Sequence, residues 1–501
     1  MKLTLESYRD KLLGCFTGKN IGGTLGAPFE CYRGVWDLDY YTHDISKGVL
    51  PNDDLDLQLV FLNAIKKFGR DVDSHILSEY WLSFIVANWS EYGAGKNNLS
   101  QGLLPPLSGR YENPNKDSCG AFIRSEIWAC LNPGHPEKAV RYAYEDATVD
   151  HADEGVYAEI FCAALESAAF CESDMHTLIN IALSYIPEDC DISKAVQCAI
   201  ECYRQGIDWK TARKRILNIV PGSFGMLSGY KDMKPEPDVP VGPMGYDAPS
   251  NIGLMIIGWL YGEGDFSKSI CIAAGCGEDA DCTAGTLASV MGIISGLSGI
   301  DNRWTDPIGN EIKTISINVA DTDGAVPQTT EQLVDELVSL MPEFMYGYYD
   351  VSKQTITCSS DLYCRPERIN SYRNYDFRKA LTDNANSVHH KSLPFDTFIN
   401  YSNSINILPG EKKNLHITFE NNLRRRQWLE LSWSLPTGVH IEGGNSKLIC
   451  LPSNHGEIGR AETDIIFCFD ESLPCKVEPV LSVSSSKCAK KVLIPVIFLK
   501  K

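Results

Sequence analysis

The sequence predicts a mainly α-helical domain over residues 1–350, a connecting segment over 351–400, and a C-terminal β-sandwich of immunoglobulin-like kind over 401–501. Three observations predict it. Through residue 350, apolar residues recur at spacings of three and four, the period of a helix with one buried face. Clusters of Pro, Gly and Asn interrupt that pattern. After residue 400 the period drops to two, in short β-branched and aromatic runs separated by turn residues.

The helical pattern is carried by LDLQLVFLNAIKKF, SHILSEYWLSFIVANW, EGVYAEIFCAALESAAF, TARKRILNIV, NIGLMIIGWLYG and TEQLVDELVSLM. NPGHPE and KPEPDVPVGPMGYDAPSN punctuate it, the second as a long loop of the kind that lines sites. Residues 351–400 have mixed polarity and weak periodicity. The strand pattern is carried by NLHITFEN, QWLELSWSL, GVHIEG, ETDIIFCFD, EPVLSVS and KVLIPVIFL.

Composition narrows the function. The formal net charge is −19. Thirteen basic and ten acidic residues fall within 401–501, so the first 400 residues carry −22. Such a surface repels phosphate backbones, and no basic stripe offsets it, which excludes nucleic acid as the expected partner. The 18 cysteines include no C-x-x-C pair and sit singly in apolar text, so they are expected as buried thiols in a reducing compartment. The N-terminal MKLTLESYRDKLLG lacks the apolar core of a signal peptide, and a cytoplasmic location is expected. The uncharged run from Cys282 to Ile300 is rich in Gly, Ala and Ser, and predicts a closely packed buried helix rather than a membrane span.

Two acidic clusters stand out. LPNDDLDLQLV places Asn52 at an N-cap and Asp53, Asp54 and Asp56 in the first helical turn, which by itself also suits the helix dipole. GCGEDADCTAG sets Asp279 and Asp281 at the start of the uncharged run, with Glu278 free to face solvent. Each precedes a helix that must be buried, and neither has a basic neighbour in sequence. Carboxylates buried together without cations are costly, and hard divalent ions are the usual compensation.

Four stretches in order resemble the ADP-ribosylglycohydrolase family, which includes the dinitrogenase reductase-activating glycohydrolase. LLGCFTGKNIGGTLGAPFE is similar to its opening helix and Gly-rich turn, NDDLD to its Thr-Asp-Asp-Thr, YEDATVDHADEGVYAEIFCAALESAAF to its His-containing middle segment, and DADC to its Asp-Thr-Asp-Thr. The resemblance covers residues 1 to about 345 and leaves the β-module outside it, with no ligand implied. It implies an all-helical fold holding two divalent ions, magnesium first and manganese as the alternative. The implied ligands are Asn52, Asp53, Asp54, Asp279, Asp281 and Cys282. The implied reaction is hydrolysis that frees ADP-ribose, or a related ribosyl group, from a protein side chain or small acceptor. Asp54 is implied as the base ahead of Asp53, Glu30 as the acidic residue over the site, and His151 and Gly120 as substrate-binding positions. The partner implied is an ADP-ribosylated protein or small ADP-ribose conjugate, with no nucleic acid and no membrane.

Departures from the pattern matter. Asn52 and Cys282 replace hydroxyls, Leu55 removes a Thr, and Lys19 stands where the family usually has Asp. They leave open a hydrolase of a simpler nucleoside or N-riboside, or a non-catalytic binding or structural protein on the same fold. Retention of Asp53, Asp54, Asp279 and Asp281 argues against the non-catalytic reading.

Overall fold

The computed structural model describes the chain except residue 31 and residues 223–237, 240–244, 365–376 and 455–457. Half of the long loop expected over residues 234–251 therefore lies outside the described residues, and its last four residues open the helix Ala248–Gly262. The chain forms two compact units, Met1–Ser100 with Ser108–Cys364, and Gln101–Leu107 with the described residues after Cys364.

The first unit is helical, and it turns on one pair of helices. The helix Leu5–Gly26 begins at an N-cap, Thr4, whose hydroxyl accepts from Ser7 N at 3.1 Å. It packs against the helix Ala280–Ser295 along a ridge with no side chains. A Cβ placed on Gly14, Gly18, Gly22 or Gly26 would fall 2.3, 2.3, 2.2 and 2.3 Å from the carbonyl oxygens of Gly292, Ala288, Ala284 and Ala280. Steps of four up one helix thus match steps of four down the other, and backbone touches backbone. The Gly/Ala/Ser run of the sequence is what permits this approach. Among the described residues no helix is long and apolar enough to cross a membrane.

Boundaries differ from the sequence expectation in several places. The helix expected from Asn52 starts at Asp56, with Asp53 and Asp54 in the turn before it. Asn52 Oδ1 accepts from Asp54 N at 2.8 Å, closing an Asx turn that holds the backbone out of the helix. Pro136, inside the punctuating NPGHPE, opens the helix Pro136–Ala147, because the first helical position needs no N–H. The helix Ser90–Ser100 was not expected; its two glycines and few apolar residues leave little period to read.

The connecting segment also holds structure at both ends. Thr355–Thr357 pairs with both Lys2–Thr4 and Tyr349–Asp350, which assigns residues 351–364 to the helical unit. Ser387–His390 and Phe395–Asn400 are the first strands of the second unit. Long-range pairing of this kind leaves no local period.

The second unit is a β-sandwich. One sheet orders Ser446–Leu451, Gln427–Ser434, Val480–Ser485 and Cys488–Pro495. The other orders Ser387–His390, Phe395–Asn400, Lys412–Asn421, Arg460–Phe469 and Val439–Ile441. All these pairs are antiparallel. Leu415, Ile417 and Phe419 alternate inward from one face, Leu429, Leu431 and Trp433 from the other. Trp433 meets Phe467 across the sheets edge-on, with ring centroids 5.1 Å apart.

Candidate metal centre

Four segments of the helical unit bring the two acidic clusters together. The turn before Asp56 supplies Asp53 and Asp54. The N-terminus of Ala280–Ser295 supplies Asp279, Asp281 and Cys282. The end of the first helix continues through Ala27–Phe29 to Glu30, and the helix Ser90–Ser100 supplies Glu91 and Tyr92.

Oxygens of Glu30, Asp279 and Asp281 lie within 4.8 Å of one another, and so do ligand atoms of Asp54, Asp281 and Cys282. Asp281 belongs to both groups. Asp54, Asp279 and Asp281 are buried, while Glu30 stays exposed at the mouth. Asp281 Oδ1 is buried with no hydrogen-bond partner among the described residues. An orphaned carboxylate oxygen amid other carboxylates is what a divalent cation would satisfy, so the residues present fit one.

The charges show the same crowding. Desolvation first, then the neighbouring charges led by Asp54 and Glu30, holds Asp53 well above the usual carboxylate range. Asp281 is raised well above it by burial and then by Glu30 and Asp279. Loss of solvent at its inner face, followed by the charges of Asp279 and Asp54, pushes Glu30 up to about 7 despite its exposure. Burial pushes Asp279 up to about 6. Asp54 is raised by burial, with Lys19 and the Cys282 thiol pulling against the shift.

Several expected residues take other parts. Asn52 turns its NH2 to the cluster, donating to Asp281 Oδ2 at 3.0 Å, because its oxygen is held by Asp54 N. It meets Asp281 as a donor and not as an oxygen ligand. Cys282 donates its thiol to Asp54 Oδ1 at 3.6 Å. Asp56 points away and accepts from Ile315 N, Ser316 N and Ser316 Oγ at 2.8, 2.5 and 2.9 Å. Its role is to hold the 315–316 loop.

Glu278 is not in solvent. It is fully buried and accepts from Arg33 Nε at 2.6 Å and Nη2 at 3.0 Å, and from Gly245 N at 3.0 Å. Gly277 makes this possible: its φ is +70°, and a Cβ there would fall 2.5 Å from Tyr32 O. Asp279 N then donates to Asn251 Oδ1 at 3.0 Å, which fixes where the helix Ala280–Ser295 begins.

His151 is fully buried, with Nε2 2.7 Å from Ser118 Oγ and Nδ1 2.8 Å from Asp150 Oδ1. Asp150 in turn holds Arg124 Nη2 at 2.6 Å. The ring therefore braces the 118–120 turn, whose Gly120 carbonyl accepts from Arg124 Nη1 at 2.9 Å. A Cβ on Gly120 would fall 2.2 Å from Glu91 Oε1, so the turn lies directly on the Glu91 carboxylate.

The residues that sequence reasoning missed are Tyr92, whose hydroxyl donates to Asp53 Oδ2 at 3.3 Å, Glu91 and Glu126. Lys19, a departure from the family pattern, sits at the site: Nζ lies 2.8 Å from Glu126 Oε1 and 3.4 Å from Asp54 Oδ2. Burial works against that charge, but Glu126 and Asp54 outweigh it and keep the ammonium protonated.

A family model described as ADP-ribosylglycohydrolase matches residues 4–343. The chain belongs to the ADP-ribosylglycohydrolase family. No curated protein matches it. Solved structures similar to it include a FixG-related protein from Vibrio parahaemolyticus, 9% identical, covering 22% of this chain and 97% of that one at a TM-score of 0.18. Another is the GAE domain of GGA2p from Saccharomyces cerevisiae, 11% identical, covering 23% and 96% at a TM-score of 0.15. Likeness at that level bears on neither fold nor function. Membership of the ADP-ribosylglycohydrolases makes the chain a glycosidic hydrolase at the level of the family, and the family is typically dependent on divalent metals.

An acid whose pKa is raised by folding binds more protons folded than unfolded, so stability falls as pH rises from its ordinary pKa to its folded one. For Glu30 and Asp279 that interval runs from about 4 to about 7. Chelated protein is thus expected to melt at a lower temperature at pH 7.5 than at pH 5.5, with magnesium or manganese abolishing most of the difference. Circular dichroism melts at the two pH values check this; no metal effect at pH 7.5 would count against the centre.

Proposed function

We propose that the chain is a metal-dependent hydrolase that frees ADP-ribose, or a related ribosyl group, from a protein side chain or small acceptor. The observation that carries the reading is the convergence of both carboxylate groups on Asp281, with an unpartnered oxygen, beneath an exposed Glu30. Asp279, Asp281 and Glu30 would hold the metal, and Asp53 and Asp54 line the same space. A divalent ion there supplies charge that attracts ribose hydroxyls and acidifies water.

The chain's own residues do the rest. Asp54 has the Lys19 ammonium beside it and so is well placed to remain an anion and accept a proton from water. Asp53 is oriented by the Tyr92 hydroxyl and contributes negative charge opposite the oxocarbenium-like ribose of the transition state. Glu30 stands exposed at the mouth of the site, where it can contact the leaving group. His151 and Gly120 act on substrate through the turn they shape.

Purified protein incubated with ADP-ribosyl-arginine and ADP-ribosyl-serine substrates is expected to release ADP-ribose with magnesium or manganese and not with chelator. Absence of release under every condition, with no metal bound by calorimetry, would remove the enzyme reading.

A further inference from the structure

The two ligand groups differ in what already faces them. Around Asp54, Oδ1 accepts from the Cys282 thiol at 3.6 Å, and Oδ2, which has no hydrogen-bond partner among the described residues, is ion-paired with Lys19 Nζ at 3.4 Å. The ammonium is not a passing contact. It lies 2.8 Å from Glu126 Oε1 and donates to Thr286 Oγ1 at 3.2 Å, and only 2% of its side chain is exposed. Glu126 is itself held by Gln58 Nε2 at 2.8 Å, and Gln58 Oε1 accepts from Ile127 N at 2.9 Å.

Space has been made for this arrangement. A Cβ on Gly285 would fall 3.2 Å from Asp54 Oδ2 and 3.5 Å from Lys19 Cδ, and Lys19 itself stands between Gly18 and Gly22, where the first helix cannot draw back. Among the described residues the other group has no cation beside it. Asp281 Oδ1 is orphaned, Asp279 is buried, and Glu30 gives access from solvent.

We propose that this chain holds one divalent ion, at Glu30, Asp279 and Asp281, and that the Lys19 ammonium occupies the charge position a second ion would take beside Asp54. The inference rests on the metal-dependent reading above. A second divalent ion at Asp54 would have to share a buried carboxylate with a fixed positive charge, and beyond Asp281, already a ligand of the first ion, its other donor would be a soft thiol, a poor match to magnesium or manganese.

The test is manganese stoichiometry in the full-length protein, by equilibrium dialysis with elemental analysis, together with the electron paramagnetic resonance of the bound ion. One ion per chain is expected, with the spectrum of an isolated manganese. Lys19→Met is expected to take up a second ion and show a coupled pair, while Cys282→Ala keeps one. Two ions in the unaltered protein would overturn the proposal and leave the metal-dependent reading standing. No bound ion would overturn both. If Lys19→Met folds and still binds one, Lys19 is not what excludes the second; if it does not fold, the stoichiometry of the unaltered protein decides. Loss of the ion in Cys282→Ala would place it on the Asp54 side and also overturn the assignment.

Discussion

Asp281→Asn is expected to abolish metal binding and to lower kcat/KM by more than about 100-fold, the upper range for losing only an outer-shell partner of a metal site, while raising the melting temperature of the metal-free protein. The two effects have one cause. Asp281 contributes to both ligand groups, and its carboxylate is buried among Asp279, Asp53, Asp54 and Glu30. Replacing it by a neutral isostere removes the ligand charge and the repulsion together. Asp56→Ala is expected to do the reverse. It strips three donors at Ile315 and Ser316 of their acceptor, and the two at buried Ser316 cost roughly 1–3 kcal/mol each when left unpaired. Metal stoichiometry should be retained in that variant. Calorimetric titration with manganese and melts of the chelated proteins separate the two. Equal loss of metal in both would show that the first cluster had been misassigned, and a lower melting temperature for metal-free Asp281→Asn would show that the cluster is not strained by its own charge.

What could be read from the sequence was what is local in it. Asp53–Asp54 and Asp279–Asp281 each sit within a few positions beside a buried helix, so burial and like charge were both visible there. The strands NLHITFEN and ETDIIFCFD declare themselves by alternation, and they pair in register as Lys412–Asn421 and Arg460–Phe469. Glu278 was assigned to solvent because its cation, Arg33, lies 245 residues earlier. Lys19 had the same concealment: its partners are Glu126, Asp54 and Thr286, on three other segments. Asn52 reads in the sequence as a helix N-cap, and instead closes a turn ahead of the helix. Its direction was not legible, because that depends on Asp281 being present to receive its NH2. Tyr92 and Glu91 escaped notice since SEYGAGKNNLS offers no apolar stripe, although it forms a helix whose second and third residues are buried at the site. A charge in a folded core is decided by what meets it in space, and sequence neighbours are a poor guide to that.

Gly22→Ala is expected to destabilise the helical unit by more than about 4 kcal/mol, in the range reserved for severe single changes, or to prevent folding outright. Intrinsic propensity points the other way, since alanine favours a helix interior by about 1 kcal/mol over glycine. The contact decides the sign. The added Cβ would lie 2.2 Å from Ala284 O, 2.4 Å from its carbonyl carbon and 2.5 Å from Gly285 N, all backbone atoms that no rotamer change can move aside. Relief requires the two helices to separate, and they touch in the same way at Gly14, Gly18 and Gly26, so the opening must spread along the whole ridge. Overpacking of ordinary side chains costs about 1–3 kcal/mol because neighbours can shift; here that freedom is missing. Function should fail with the packing. Gly26 abuts the Cα of Asp281, and Gly285 borders Asp54 and Lys19, so separation of the helices would pull the carboxylates apart. Glu6→Ala, exposed on the same helix, should stay within about 0.5 kcal/mol of the unaltered protein. Denaturant unfolding followed by far-ultraviolet circular dichroism, with manganese affinity measured on any folded fraction, compares the two. A Gly22→Ala protein as stable as the Glu6→Ala control would mean that the helices do not meet as described.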